Sequence, residues 1–257
     1  MIWRRSRTRY CPASWLRTDV LYLRSALFNT IMVLSVLIYA PLSLLTFPLP
    51  ALVRYRFITQ WSRFHIWLAW RLCGLRYRVD GKEHLPPGPA IILSKHQSAW
   101  ETLAFQVIFP PHTWVLKREL IWVPFFGWAL SVLRPIAIER GAARRAFDQV
   151  IQQGRERLAA GLWVLVFPEG TRMAPRTHGK YKLGGAMLAE ATACPVVPVA
   201  HNAGTFWPRR GFLKYPGEIR VAIGPLIESR GRSAEEINRL AESWIESTMQ
   251  GLETSRT

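Results

Sequence analysis

The sequence predicts an α/β fold in which a mostly parallel central sheet is flanked by helices and follows an N-terminal helical membrane anchor. Beyond residue 79, short apolar runs alternate with longer segments of helical spacing, a pattern typical of βαβ units. Before residue 54, the run Ser25–Val53 carries no charged side chain. A chain of 257 residues has room for one sizeable core.

The apolar run predicts the anchor, because it exceeds the roughly 20 residues that a helix needs to cross a bilayer. Pro41, Pro48 and Pro50 interrupt it, so the sequence favours either one bent spanning helix or a hairpin that dips into one leaflet. Arginines flank the run at positions 4, 5, 7, 9, 17 and 24 before it and at 54, 56, 63 and 71 after it. Anionic headgroups attract such residues.

Other interpretations of this region remain open. A cleavable signal peptide is disfavoured by the length of the run and by the lack of a small-residue cleavage site. A buried core helix is a second alternative. The segment Arg54–Leu75 mixes aromatic residues with arginines, which fits an interfacial helix or an ordinary surface helix. We therefore predict a basic membrane anchor with interfacial helices over 1–78 and an αβ domain over 79–257, joined near the turn-rich Val79–Ala90.

Within the αβ domain, the predicted strands are short apolar runs at 90–93, 113–117, 135–139, 162–167, 195–200 and 219–224. Helical spacing predicts helices over Ala143–Ala160, Gly185–Thr192 and Ser233–Leu252. A further helix opens at the segment ETLAFQVIF, directly after the first of these runs. This alternation predicts buried, largely parallel strands.

The amino-acid composition indicates which classes of binding partner suit this chain. The formal net charge is +17, with 34 Lys and Arg against 17 Asp and Glu, so the surface suits nucleic acid, anionic lipid or an acidic carrier. Apolar residues make up 49%, too many for a disordered chain. Cys11, Cys73 and Cys194 have neither zinc-site nor disulfide-framework spacing, which fits a reducing, cytosol-facing location.

His96 lies in the turn between the first predicted strand and the helix after it. Residues five apart on one helix point roughly 140° away from each other, but a histidine placed before the helix can be reached by Glu101 in its first turn. Such a carboxylate would fix the imidazole tautomer and leave the other nitrogen free as a base. Alternatively, Ser98 and Glu101 form an S-x-x-E capping box that only closes the helix.

A second polar turn follows the strand in VLVFPEGTR. Gly170 lets the backbone approach a ligand closely, Thr171 offers a hydroxyl and an amide, and Arg172 can bind a phosphate with two parallel hydrogen bonds. Lys117 and Arg140 end two other predicted strands. Because the carboxyl ends of parallel strands share one edge of a sheet, the sequence predicts a base and several cations around a phosphate-bearing alcohol.

Four blocks of this region resemble the glycerolipid acyltransferase family, and within it the 1-acyl-sn-glycerol-3-phosphate acyltransferases. In family order they read KHQSAWE, PFFGWALSVLRPIAIER, VFPEGTR and CPVVPVA, and they cover about Ile91–Ala200. The chain departs from the family at two positions: Glu101 stands where an aspartate is usual, and Met173 stands where a serine is usual.

The resemblance implies a general base at His96 with Glu101 as its orienting carboxylate. It implies a substrate phosphate site formed by Lys117, Arg140, Glu169, Gly170, Thr171 and Arg172. No metal or cofactor is implied, and the co-substrate would be acyl-CoA or acyl-carrier protein. The expected reaction acylates the sn-2 hydroxyl of 1-acyl-glycerol-3-phosphate, giving phosphatidic acid, and backbone amides near the His96 turn are expected to hold the oxyanion.

The resemblance predicts membrane lipid and lysophosphatidic acid as partners and no nucleic acid. It predicts a location on the cytoplasmic face of a bacterial inner or plasma membrane. Two alternatives stay open at this point. The acceptor could be another lysolipid, such as a lyso-ornithine lipid. The chain could also be a basic membrane- or nucleic-acid-binding protein without catalysis.

Overall fold

A computed structural model describes residues 13–139 and 143–254. Its helices are α1 Ala13–Leu44, α2 Ala51–Cys73, α3 Trp100–Ile108, α4 Phe126–Val132, α5 Ala143–Ala159, α6 Gly184–Thr192, α7 Ala203–Phe206 and α8 Ala234–Thr254. Its strands are β1 Leu75–Asp80, β2 Ile91–Ser94, β3 His112–Lys117, β4 Ile136–Ile138, β5 Trp163–Val166, β6 Val196–His201 and β7 Gly217–Ile223.

The described strands form one sheet in the order β1-β7-β6-β2-β5-β3-β4. Every neighbouring pair is parallel except β6 and β7, which are antiparallel. The predicted α/β class with a mostly parallel sheet is therefore confirmed. The six strands predicted from apolar runs are all present as β2–β7, and the predicted helices appear as α3, α5, α6 and α8.

The sheet is buried on both faces, which explains why its central strands read as continuous apolar runs. Alternate residues of β2 join different cores: Ile92 packs with α1–α3, whereas Ile91 and Leu93 pack with α5, α6 and α8. All three side chains are fully buried. The helices thus form a layer on each side of the sheet.

Three of these helices and strands were not predicted: β1, α4 and the four-residue helix α7. The edge strand β1 has the sequence LRYRVD, in which charged residues alternate with apolar ones, and it pairs in parallel with β7 from Leu75 to Asp80. It lies across residue 78, the boundary predicted between anchor and αβ domain. Helix α4 is only seven residues long, too short to show a helical period.

The N-terminal apolar run folds into two packed helices, α1 and α2, rather than one bent helix. Pro41 lies in the last turn of α1, and the chain reverses through 45–50. The segment Thr18–Leu44 is long and apolar enough to cross a membrane, with a mean hydropathy of 1.9. Only 17% of its most apolar window is buried, so the core-helix interpretation is wrong.

Side-chain hydrogen bonds hold the two helices together. The indole Nε1 of Trp61 donates to Ser35 Oγ over 2.9 Å, and the Tyr39 hydroxyl donates to the carbonyl of Phe57 over 2.6 Å. Gly74 then ends α2 in the left-handed conformation, with φ of 69° and an amide that donates to the carbonyl of Trp70. The hairpin is therefore one unit that continues directly into β1.

The loop 207–216 fastens α1 to the αβ domain through a buried lysine. Lys214 Nζ donates to Asn29 Oδ1 and to the carbonyl of Phe212, both over 2.8 Å, and lies 4.9 Å from the centroid of the Trp207 ring. Burial lowers the pKa of Lys214 to about 8. The backbone amide of Lys214 also donates to Ser25 Oγ over 3.0 Å, so both the backbone and the side chain of this residue bind α1.

Candidate active site

The turn 95–99 connects β2 to α3 at the carboxyl end of the sheet, where α/β proteins place ligands. The amide of Lys95 donates to the carbonyl of Val199 over 3.0 Å, so the turn starts as a continuation of the β2–β6 ladder. His96 follows, and its side chain is 14% exposed. The fold therefore presents this imidazole at the sheet edge on a backbone that is fixed to β6.

His96 and Glu101 are in direct contact. The Nδ1 atom of His96 lies 2.8 Å from Glu101 Oε1, and the Glu101 side chain is fully buried. Phe167 stacks on the imidazole, with ring centroids 3.9 Å apart and planes 15° from parallel. Because a carboxylate accepts at Nδ1, the Nε2 nitrogen is the one that can act on a substrate.

The same carboxylate oxygen also closes the helix. Glu101 Oε1 accepts from the amides of Gln97 and Ser98 over 2.9 and 2.7 Å, and Ser98 Oγ accepts from the amide of Trp100. The capping and orienting interpretations therefore describe one group with two sets of contacts. A glutamate side chain is one methylene longer than an aspartate side chain. Glu101 can therefore extend back past the start of α3 and contact both the imidazole of His96 and the amides before the helix.

These contacts correct one expectation. The amides of residues 95 to 98 all donate to oxygens within the protein: to Val199, Glu169 and, twice, Glu101. The backbone amides of residues 95–98 are therefore not available to hold an oxyanion.

The environment of Glu101 keeps it ionised. Burial works to raise its pKa, but the neighbouring His201 and the hydrogen-bonded His96 outweigh burial and hold the pKa of Glu101 below its ordinary value. Burial lowers the pKa of His201, whose Nε2 donates to the carbonyl of Lys95 over 2.9 Å. A charged carboxylate at Nδ1 holds the imidazole of His96 in one tautomer and leaves Nε2 free to accept a proton.

His96 opens onto a cavity of about 670 Å³ between the hairpin and the αβ domain. Side chains of α1, α2, α3, β3 and α4 form its mainly apolar walls. Helix α1 contributes Val36, Tyr39, Ala40 and Ser43. The cavity is large enough for an acyl chain beside a polar head group.

The polar side of the cavity is cationic. Lys117, Arg172, Arg209 and Arg210 line it, and among the described lining residues there is no Asp or Glu. The Nε atom of Arg172 is buried and has no hydrogen-bond partner. Arg209 donates to the backbone carbonyl of Arg172, so the loop 207–216 supports the turn that carries this arginine. Such a surface suits an anion.

The turn after β5 places Gly170 and Thr171 on the same cavity. Gly170 has φ of 68°, and a Cβ atom there would lie 2.9 Å from Lys182 Nζ. The left-handed backbone conformation therefore favours glycine at this position, whereas the flexible end of the Lys182 side chain packs over the turn. The amide of Met173 donates to the carbonyl of His96 over 2.7 Å, which joins this turn to the histidine turn.

Glu169 has partners other than the phosphate that the resemblance implies. Its side chain is fully buried, Oε1 accepts from Lys95 Nζ over 2.9 Å and from the Gly179 amide over 3.0 Å, and Oε2 accepts from the His96 amide over 3.3 Å. A carboxylate that faces these donors would also repel a phosphate. The structure therefore places Glu169 behind the site, where it joins backbone segments.

Of the residues predicted for the site, His96, Lys117, Gly170, Thr171 and Arg172 line the one cavity. Glu101 and Glu169 lie behind it, and Arg140 is outside the described residues.

Sequence reasoning missed Lys95, Phe167, Arg209 and Arg210. The adjacent arginines of WPRR were the available signal for the last two.

The match to known families agrees with this geometry. A family model described as Acyltransferase matches residues 76–202, which include β1 to β6 and both polar turns. The fold and the site together define the chain as an acyltransferase.

Comparison with individual proteins identifies the group of acyltransferases to which the chain belongs. The chain is 48% identical over 232 residues to a 1-acyl-sn-glycerol-3-phosphate acyltransferase of Pseudomonas aeruginosa, covering 88% of this chain and 90% of that protein. It is 31% identical to the enzyme of that name in Saccharomyces cerevisiae, over 66% of this chain and 58% of that one. The chain therefore belongs to the family of 1-acyl-sn-glycerol-3-phosphate acyltransferases.

A solved structure extends the likeness in fold to almost the whole chain. The crystal structure of a 1-acyl-sn-glycerophosphate acyltransferase from Thermotoga maritima superposes with a TM-score of 0.77. The match covers 94% of this chain and 99% of the other, at 22% sequence identity. Since it extends beyond residues 76–202, it also includes parts of the fold outside the family match.

Proposed function

We propose that this acyltransferase moves a fatty acyl group from a thioester to the sn-2 hydroxyl of 1-acyl-glycerol-3-phosphate, giving phosphatidic acid. One observation carries the proposal: the His96–Glu101 pair and a cluster of basic side chains meet at one cavity that is otherwise largely apolar. A base, a phosphate site and an apolar channel are what an acyl-bearing phosphomonoester acceptor needs. The names of the relatives from Pseudomonas and yeast support the same acceptor.

His96 acts as the general base. Its Nε2 takes the proton of the acceptor hydroxyl, and the resulting alkoxide attacks the thioester carbonyl carbon. Glu101 stabilises the imidazolium that forms and, through Nδ1, keeps the ring in the required tautomer. When the tetrahedral intermediate collapses, the C–S bond breaks and His96 returns its proton to the leaving thiolate. The acceptor supplies the nucleophile, so no acyl-enzyme is formed.

The oxyanion of the intermediate needs a donor on another segment, because the amides of the His96 turn are engaged. We assign this role to Thr171, which brings a hydroxyl and an amide to the same cavity. Its turn is fixed relative to His96 by the bond from Met173 to the His96 carbonyl. A donor held in place before the reaction stabilises the developing charge without reorganisation.

The acceptor phosphate lies against Lys117 and Arg172, with Gly170 allowing close approach of the backbone. Arg140, which the resemblance also assigns to phosphate, completes this set in the proposal. Glu169 contributes to the phosphate site only indirectly, by hydrogen bonds that hold the turn of His96 against the segment after β5. Fixed cations orient the hydroxyl toward His96, and orientation of this kind can be worth several kcal/mol.

The helical hairpin is the proposed anchor to membrane lipid, with the αβ domain on the cytoplasmic face of a bacterial membrane. Its support is the length and hydropathy of Thr18–Leu44 and the arginines that flank the run. Since α1 forms part of the cavity wall, acyl chains could enter from the lipid while the head group meets the cations. The donor is acyl-CoA or acyl-carrier protein; both are anionic and suit a basic surface.

The decisive experiment is an acyl-transfer assay on the purified full chain. 1-Acyl-glycerol-3-phosphate is offered with acyl-CoA and, separately, with acyl-carrier protein, beside the His96→Ala variant. We expect phosphatidic acid from the wild type with at least one donor and a rate at least about 100-fold lower from the variant. A variant with near-normal activity would disprove the mechanism.

Matched lysolipids test the acceptor. With the same acyl chain, we expect the phosphomonoester to be preferred over lysophosphatidylcholine, lysophosphatidylglycerol and a lyso-ornithine lipid, because the cation cluster pairs best with a dianion. A higher kcat/KM for the lyso-ornithine lipid would overturn the assignment of acceptor while leaving the acyl-transfer chemistry intact.

A further inference from the structure

We infer that Lys95 is a positioning residue whose buried ammonium group locks the catalytic turn between the turn after β5 and the C-terminal helix α8, with Glu246 as its partner on that helix. This inference rests on the proposed role of His96 as the base. It assigns a function in the reaction to a buried ion-pair network that lies behind the cavity, outside the residues that line it.

Lys95 directly precedes His96 but points the opposite way. Its side chain is 1% exposed, and its Nζ atom lies 2.9 Å from Glu169 Oε1, 2.9 Å from Glu246 Oε1 and 3.0 Å from the carbonyl of Thr177. An ammonium group has three protons, so these three acceptors satisfy it completely. One buried side chain therefore ties together three segments that are far apart in sequence.

The network reaches the backbone of the base itself. While Glu169 Oε1 accepts from Lys95 and from the Gly179 amide, Glu169 Oε2 accepts from the amide of His96. Lys95 thus fixes the carboxylate that fixes the His96 backbone. The carbonyl of Lys95 is held as well, since it accepts from Nε2 of the buried His201.

Helix α8 supplies the remaining contacts to the turn that carries His96. Glu246 Oε1 accepts from Lys95 and also from the hydroxyl of Tyr181 over 2.8 Å. Two turns further on, Glu253 Oε1 accepts from Gln97 Nε2 over 3.0 Å, so residues on both sides of His96 contact the same helix. These contacts lie beyond residue 202, where the family match ends, so the matched segment does not contain the whole support of its catalytic turn.

The chemistry favours positioning over simple stability. A buried ion pair loses much of its Coulombic gain to desolvation, and apolar residues of similar volume often stabilise a fold equally well. What apolar residues cannot do is hold a carboxylate at a fixed place against the His96 amide. Lys95 is therefore expected to affect the rate of the chemical step more than acceptor binding.

The test compares Lys95→Met, Glu246→Gln and the control Glu242→Gln, assayed for kcat, acceptor KM and melting temperature. Glu242 lies one turn from Glu246 on α8, so its variant makes the same charge change on the same helix. We expect kcat to fall about 100-fold in Lys95→Met, since small misplacement of a catalytic group has effects of that size. In Glu246→Gln we expect a fall of about tenfold, because Glu169 remains paired. Acceptor KM should change less than about threefold in both variants.

The results of these assays distinguish the positioning role of Lys95 from the proposed role of His96 as the base. Unchanged kcat per folded molecule in Glu246→Gln, or a loss confined to acceptor KM in either variant, would overturn the positioning role, and Glu246→Gln keeps the test valid if Lys95→Met fails to fold. Equal losses in Glu246→Gln and Glu242→Gln would point to a general charge effect and also overturn it. His96→Ala is run alongside: if that variant stays active the proposed base is wrong, whereas an inactive His96→Ala beside a normal Lys95→Met rejects this inference alone.

Discussion

The two sides of the cavity are built differently. On the side of the proposed base, Lys95, Gln97 and Glu101 are buried, and the backbone amides of residues 95–98 are hydrogen-bonded. On the cationic side, Lys117 and Arg209 are exposed, and the buried Nε of Arg172 has no partner. The first side is held rigid around the proposed base, while the second presents charge that a ligand would satisfy. Changes on the base side should therefore alter kcat, and changes on the cationic side should alter acceptor binding.

The largest expected effect tests the base side. His96→Ala should lower kcat at least about 100-fold, because proton transfer is lost while acceptor contacts remain. The melting temperature should change little, since His96 is held by Glu101 and Phe167 at the cavity rather than in a core. Steady-state kinetics and a thermal melt on the same preparation measure both quantities. A rise in acceptor KM with unchanged kcat would contradict the contrast between the two sides.

Arg172→Ala tests the cationic side. Removing charged hydrogen bonds of about 1.5–3 kcal/mol should raise acceptor KM and lower kcat/KM about 30-fold. The thioester KM should stay near the wild-type value if the acceptor alone occupies this side. Arg232→Ala is the matched control, since Arg232 pairs with Glu236 one helical turn onward at the surface. If Arg172→Ala lowers only kcat, the division of labour between the two sides is wrong.

Glu101→Gln sharpens the comparison on the base side, because one oxygen both orients His96 and caps α3. We expect kcat to fall about tenfold, less than in His96→Ala, together with a lower melting temperature. Ser98→Ala separates the two contributions, since it removes only the hydroxyl that accepts from the Trp100 amide. A Glu101→Gln variant that melts earlier at full kcat would show that capping is its only role. Glu101→Asp should keep activity if the shorter carboxylate still reaches Nδ1.

The smallest effect on activity is expected for a substitution of His112, which lies at the start of β3 and on neither side of the cavity. Burial lowers the pKa of His112 to about 4, so the folded protein holds this imidazole neutral. As pH falls from about 6.5 to 4, the unfolded chain takes up a proton that the folded chain does not, and stability is lost. The loss is about 3 kcal/mol at most, because each unit of pKa difference corresponds to about 1.4 kcal/mol. His112→Asn should flatten the dependence of the urea midpoint on pH over this window; an unchanged dependence would contradict it.

The sequence predicted much of this arrangement because its signals are local. Apolar runs marked β2 to β7, and the five-residue spacing of His96 and Glu101 predicted a contact across the turn, which the structure contains. The edge strand β1 was missed because edge strands need not be apolar. Arg209 and Arg210 were missed because they reach the cavity from a loop that follows the last matched block. The partners of Lys95 could not be predicted, since Glu169 and Glu246 meet it only after the sheet and α8 have assembled.

Helix α1 contributes Val36, Tyr39, Ala40 and Ser43 to the wall of the cavity, and Lys214 clamps its other half to the αβ domain. Trimming the chain to its αβ portion for easier handling would therefore do more than remove the proposed membrane anchor. It would uncover one flank of the substrate channel and expose the apolar surface that faces it. Any shortened version meant for crystallisation or inhibitor screening should keep both helices.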